Sequence, residues 1–225
     1  MRHPATEAIY AYWNELRGGR PAPRRLEIQP SRISPLLPDT FILERIGRSA
    51  FRFRLAGSRV SARFGTSLRE QDFMACWTEA DRGLLEPHLM SIIDCRRIGL
   101  FTGEAPSDAS GKHDCGHPVR REFELILLPL FHTGYEIDRL LGHLAFHEDP
   151  AATYADRISR LRLLAAESVW PEGEENYASS WHERQLPLSP HVRTARIVRQ
   201  GHRQFRVYEG GLAAVRRGSA ETHTR

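Results

Sequence analysis

The stretch Glu122-Phe123-Glu124-Leu125-Ile126-Leu127-Leu128-Pro129-Leu130-Phe131 decides the fold. It reads as a β-strand, and it is apolar on both faces. Phe123, Leu125, Leu127 and Phe131 lie on one side; Ile126, Leu128 and Leu130 lie on the other. A strand apolar on both sides needs cover on both sides. The helices in the middle of the chain can cover one face. The N-terminal segment, with Ile9, Tyr12, Trp13 and Leu16 at helical spacing, is available for the other.

Working outward, Arg139 to Phe146 reads as the neighbouring strand, joined to the first by His132 to Asp138. Upstream, Thr40 to Ile46 and Ala50 to Leu55 are two strands separated by Gly47-Arg48-Ser49, a length suited to a hairpin. Ile98 to Glu104 makes a fifth. Arg59 to Phe64 is a short helix stopped by Gly65. Thr78 to Cys95 is a longer one, with Leu84, Leu85, Leu89, Ile92 and Ile93 at a period of 3.6. The N-terminal helix runs from Thr6 to Leu16, with Thr6 as its N-cap and Gly18-Gly19 at its end. Arg20 to Pro38 is a proline-rich connector. Strands grouped around a helical block indicate an antiparallel α+β domain rather than alternating βαβ units.

After Asp149-Pro150 the character changes. Tyr154 to Val169 reads as a helix, with Ile158, Leu161, Leu164 and Ala165 on one face and Trp170-Pro171 as its stop. Ala195 to Arg199 and Gln204 to Tyr208 form a hairpin candidate. The residues after Arg216 are expected to be disordered. The organisation expected is an N-terminal helix over 1–20, a central domain over 21–149 and a basic extension over 150–225.

The chain has 225 residues and a formal net charge of +4. That charge resides in the extension, where residues 184–217 hold eight arginines against a single acid, Glu209. No run is long and apolar enough for a membrane helix, and the N-terminus lacks a secretory signal. The three cysteines, Cys76, Cys95 and Cys115, form no disulfide framework. A cytoplasmic protein is expected, with no membrane contact. No Ser-His-Asp order, phosphate-binding glycine loop or zinc-protease helix is present, so an enzyme is not expected.

Tyr12-Trp13, Leu16-Arg17-Gly18-Gly19-Arg20, Pro23, Ile28, Pro30, Ile33 and Leu37-Pro38 together resemble the start of a bacterial PAS-domain subfamily. The resemblance continues through Phe51 to Ser58, Phe64-Gly65, Leu68-Arg69, Phe73, Trp77 and Phe123 to Leu130, so that it covers about residues 8–147. It implies the PAS fold: a five-stranded antiparallel sheet with helices on one face, here with an N-terminal amphipathic helix and a C-terminal helix and hairpin. It also implies a sensory or regulatory module in signal transduction, one that binds an unidentified small molecule or regulatory protein and forms a homodimer. No haem or flavin signature accompanies it; Met74-Ala75-Cys76-Trp77-Thr78 is unlike the flavin-binding pattern.

Within such a fold, Phe53, Leu55, Phe64, Phe73, Trp77, Leu85, Phe101 and Leu127 would surround a cavity between sheet and helices, with His88 as a polar contact. Ile9, Tyr12, Trp13 and Leu16 are candidates for helix packing or dimerisation. Arg196, Arg199, Arg203 and Arg206 are candidates for anion contact. They support an alternative reading as a nucleic-acid or anionic-ligand adaptor, although no nucleic-acid module is recognisable and nucleic acid is not the expected partner. His113, Asp114, Cys115 and His117 carry metal-binding side chains but lack a fourth ligand at a recognisable spacing. His143 and His147 share a strand face near His132 and are expected at a rim or outer surface, so no metal site is assigned.

Overall fold

The computed structural model describes residues 1–106, 120–134, 136–147 and 157–171, together with two short strands at 195–200 and 203–208. Chain contacts divide it into two units, Met1–Glu174 and Glu175–Arg225.

The first unit begins with α1 (Pro4–Arg17). Its N-cap is His3, whose ring nitrogen accepts from the Ala5 amide at 3.1 Å. Thr6, the cap expected from sequence, lies inside the first turn and is fully buried. Pro4 explains the earlier start: its fixed φ suits a first helical position, where no amide hydrogen is needed. Gly18, at φ 53°, closes the helix in the left-handed conformation that favours glycine.

The connector is three 3-10 turns, the last of them Leu37–Asp39. Then follow β1 (Thr40–Arg45), β2 (Phe51–Ala56), α2 (Ser58–Phe64), α3 (Glu79–Cys95), β3 (Ile98–Pro106), β4 (Arg120–Phe131) and β5 (Ile137–Phe146). These five strands are the five expected. A sixth, β6 (Arg162–Val169), joins them, and the sheet order is β2-β1-β5-β4-β3-β6. Every pairing is antiparallel.

β6 corrects the expected helix over 154–169 where the chain is described, from 157 onward; 154–156 lie outside the described residues. Leu, Ala and Glu are good helix formers, and the segment is rich in them. The exposed edge of β3 offered unpaired backbone groups along its length, and β6 takes them, from Ile98 opposite Val169 to Glu104 opposite Arg162. Ile158 and Leu161, expected on a helical face, are instead tied down by backbone bonds. The Ile158 amide donates to the Arg63 carbonyl at 2.8 Å, and the Leu161 amide donates to the Cys76 carbonyl at 2.7 Å.

β4 sits in the middle and is buried on both faces, as its sequence requires. Its inner positions align across the sheet: Leu125 lies opposite Leu144 and Phe101, and Leu127 lies opposite Gly142 and Gly99. Gly142 is obligatory, since a Cβ there would come within 2.1 Å of the Phe41 ring. Its outer positions, Ile126 and Leu128, align with His143 and Leu141 of β5. α3 packs under the inner face and α1 lies across β4 and β5 on the outer one.

In the second unit, β7 (Ala195–Gln200) pairs with β8 (Arg203–Tyr208) as an antiparallel hairpin, with Ala195 opposite Tyr208 and Gln200 opposite Arg203. The His113–His117 cluster and the residues after Arg216 lie outside the described residues.

Candidate functional site

On the inner face, a chain of aromatic rings runs from one end of the sheet to the other. Ring centroids are 5.3 Å apart for Phe41 and Phe53, 5.8 Å for Phe53 and Phe73, and 6.0 Å for Phe73 and Trp77. From Trp77 the chain branches to Phe101 at 6.4 Å and to Phe123 at 5.9 Å. Edge-to-face contacts of this kind add to the area they bury. Phe53, Phe73, Trp77, Leu85, Phe101 and Leu127 are all buried here.

The space between these rings is small. A void of about 10 Å³ remains among Phe53, Phe64, Phe73, Cys76, Leu125 and Leu144. That is the volume of a single water-sized probe, far below the ~300 Å³ at which drug-sized ligand pockets begin. These side chains form a packed core. Burial pushes the Cys76 thiol up to about 12, so it stays neutral and does not act as a nucleophile.

Two cavity candidates fall elsewhere. Leu55 is 47% exposed. A bulge between Ile42 and Leu43 shifts the β1–β2 register, so that Phe53 pairs with Leu43 while Leu55 pairs with Ile42 on the opposite face. Simple alternation from Phe53 could not show this. His88 stands at the margin, where its Nδ1 lies 2.9 Å from the Ser168 hydroxyl of β6 and its ring meets Phe101 edge-on.

The outer face is covered by α1. Ile9 and Trp13 are fully buried and Tyr12 is 7% exposed, while Leu16 is partly buried against the same cluster. The Trp13 indole donates to the Pro129 carbonyl at 2.9 Å. The Gln29 amide donates to the Tyr12 hydroxyl at 2.7 Å, which ties α1 to the connector. At the other end of the helix, the buried Glu124 carboxylate accepts from the backbone amides of Arg2 at 2.8 Å and His3 at 3.2 Å. A negative group at a helix N-terminus is favourable, and this one also anchors the chain that leads into α1.

His143 is not at a rim: it is 1% exposed, because α1 and the turn before β1 close over it. His132 and His147 are exposed, and His147 meets His3 with centroids 5.2 Å apart. Among the described residues, no three His, Cys, Asp or Glu side chains are grouped to hold a metal. The Nδ1 of His143 lies 3.1 Å from Thr40 Oγ1, whose own hydroxyl proton goes to the Leu36 carbonyl at 2.7 Å. The ring therefore donates from Nδ1.

Burial, with smaller contributions from His3 and Arg59, lowers the His143 pKa to about 4. In the unfolded chain the ring would titrate near 6.5. Below 6.5 the unfolded state binds a proton that the native state refuses, so stability falls as pH drops from 6.5 to 4 and is unaffected by this ring above 6.5. The loss is expected to be on the order of 3 kcal/mol. Denaturant melts of the parent and of His143→Gln across that range check it: the variant should lose most of the slope.

His143 lines a cavity of about 270 Å³ that sequence reasoning did not foresee. His3, Asp39, Arg59 and Arg63 line it too, with Leu36 and Phe146. Its one signal in the sequence is Arg59 and Arg63, spaced to share a helix face.

The arginines of the hairpin lie in the other unit. Its register puts Arg196 and Arg203 at positions of one face, and Arg199 and Arg206 at positions of the other.

A family model described as a PAS domain matches residues 1–145. The match takes in α1, both later helices and nearly all of the first five strands, and the chain belongs to the PAS-domain family. No curated protein and no solved structure matches it. The class is one of sensory and signalling modules. Among the described residues, no helix is long and apolar enough to cross a membrane.

Proposed function

We propose that this chain is a cytoplasmic regulatory PAS module that passes its signal through α1, and that it does so as a homodimer. One observation carries the reading: the inner core is filled, while the outer face of the sheet is closed by a single amphipathic helix. With only this small void on the inner face among the described residues, another movable element is called for. α1 is suited to that role, because it is amphipathic and docks on one face alone. Docked, it covers Ile126, Leu128 and Leu141. Released, it leaves two apolar surfaces that a second copy can satisfy, and such an equilibrium couples anything that favours one state to association. The series from Tyr12 to Arg20 that resembles the subfamily start lies on α1 and its cap, which supports the same element as the distinguishing one.

Light scattering over a range of concentrations tests the reading. It predicts a dimer whose stability changes with Trp13→Glu. A concentration-independent monomer, or a variant of unchanged mass and melting temperature, contradicts it.

A further inference from the structure

We propose that the groove between the edge of β3 and α3 is a binding site for an extended peptide strand of a partner protein, and that the chain's own segment from Ile158 to Trp170 is its built-in competitor. The groove residues named below belong to β3, α2, α3 and the turn Phe73–Cys76 rather than to α1, so the site stands independently of the movement proposed for that helix.

The groove has two walls. β3 is the main-chain wall, and its residues Ile98 to Glu104 pair antiparallel with the occupant. α3 is the other. Its Asp81 carboxylate accepts from the Leu163 amide at 3.1 Å, and its His88 Nδ1 lies 2.9 Å from the Ser168 hydroxyl. Asp81 is held in place by the Thr78 hydroxyl, which donates to the same oxygen at 2.5 Å. Gly103 lets the occupant's backbone come close, since a Cβ there would collide with the Arg162 carbonyl oxygen. Strand addition to a sheet edge works in this way: main-chain pairing supplies affinity, and places for a few side chains supply specificity.

The occupant is held as a bound peptide is held, at its ends. No residue of β6 is buried, whereas every residue of β4 from Phe123 to Leu130 is. The anchors flank the strand. Ile158 and Leu161 are each 2% exposed, and their amides bond to the carbonyls of Arg63 in α2 and Cys76 in the turn. Beyond the strand, the Arg97 guanidinium lies over the Trp170 ring, 4.7 Å from its centroid.

Two observations make this occupant separable from the domain it completes. It begins beyond residue 145, where the PAS match ends. Its composition favours a helix, so the groove imposes the strand on it. Such a segment competes chiefly because it is tethered, and a short tether holds it at an effective concentration on the order of 1 mM. The partner that displaces it is an extended segment rich in β-branched residues, with two apolar anchors three residues apart at its start, as Ile158 and Leu161 are.

The test uses the full chain and, as probe, a labelled synthetic peptide of residues 157–171. In the parent the tethered segment competes. The peptide should therefore bind the parent at least about tenfold more weakly than it binds Leu161→Ser, whose own anchor is gone. It should also raise the melting temperature of that variant. A peptide that itself carries Leu161→Ser should do neither, because the buried leucine is the anchor. Hydrogen exchange on the parent covers a variant that fails to fold: the amides from Leu163 to Val169 should open together, at a free energy well below that of β4. The proposal is overturned if the peptide binds parent and variant equally or binds neither, or if β6 exchanges only with the whole domain.

Discussion

Trp13→Glu is expected to lower the melting temperature by more than about 10 °C and to change the mass of the protein in solution. Trp13 has no exposed surface, and truncation of a buried tryptophan alone costs about 3–5 kcal/mol. The glutamate adds two penalties. The Pro129 carbonyl loses the indole that donates to it at 2.9 Å. The new carboxylate cannot stay charged under α1 without a partner, and leaving it there unpaired is costlier than releasing the helix. For a protein of this size each kcal/mol shifts the midpoint by about 2–4 °C. Release uncovers the apolar outer positions of β4 and β5, so oligomers or a shifted dimer should appear in light scattering. Equal melting and equal mass would mean that α1 contributes little to holding the sheet.

Trp77→Ala carries the second large effect, about 3–5 kcal/mol, and it tests the opposite face. Trp77 touches Phe73, Phe101 and Phe123 and has no exposed surface. Its indole nitrogen is buried with no acceptor, so no hydrogen bond is lost with it; the whole cost comes from packing. A filled core cannot close over the space left behind, and a dry, apolar cavity should bind a small apolar probe such as benzene, which the parent should not. Guanidinium melts with and without the probe measure both. A loss below about 1 kcal/mol would mean that the inner face already contains free volume, and the case for a filled core would collapse.

The strand from Glu122 to Phe131 made the architecture legible from sequence, because apolar residues on both of its sides demanded two covering layers. The hairpin of β1 and β2 and the length of α3 followed from local pattern alone. What was not legible depended on neighbours distant in the chain. β6 has the composition of a helix; its strand state comes from the open edge of β3, some sixty residues earlier. Leu55 faces outward because of a one-residue bulge, which alternation does not announce. The aromatic residues do meet on one face, but whether they leave a cavity depends on fit at the scale of one methyl group, beyond what residue types carry. The burial of His143 and the cavity beside it depend on where β1 starts relative to β5. In sequence, Arg59 and Arg63 look like any solvated helix face.

Native-state amide hydrogen exchange along the chain tests the central claim most directly. If α1 is the movable element, the amides from Ile9 to Leu16 should open several kcal/mol more easily than those of β4 and β5, in a sub-global step of their own. If α1 exchanges only with the whole domain, at the same free energy as the Leu125–Leu128 ladder, the helix is a fixed part of the core and the signal does not pass through it.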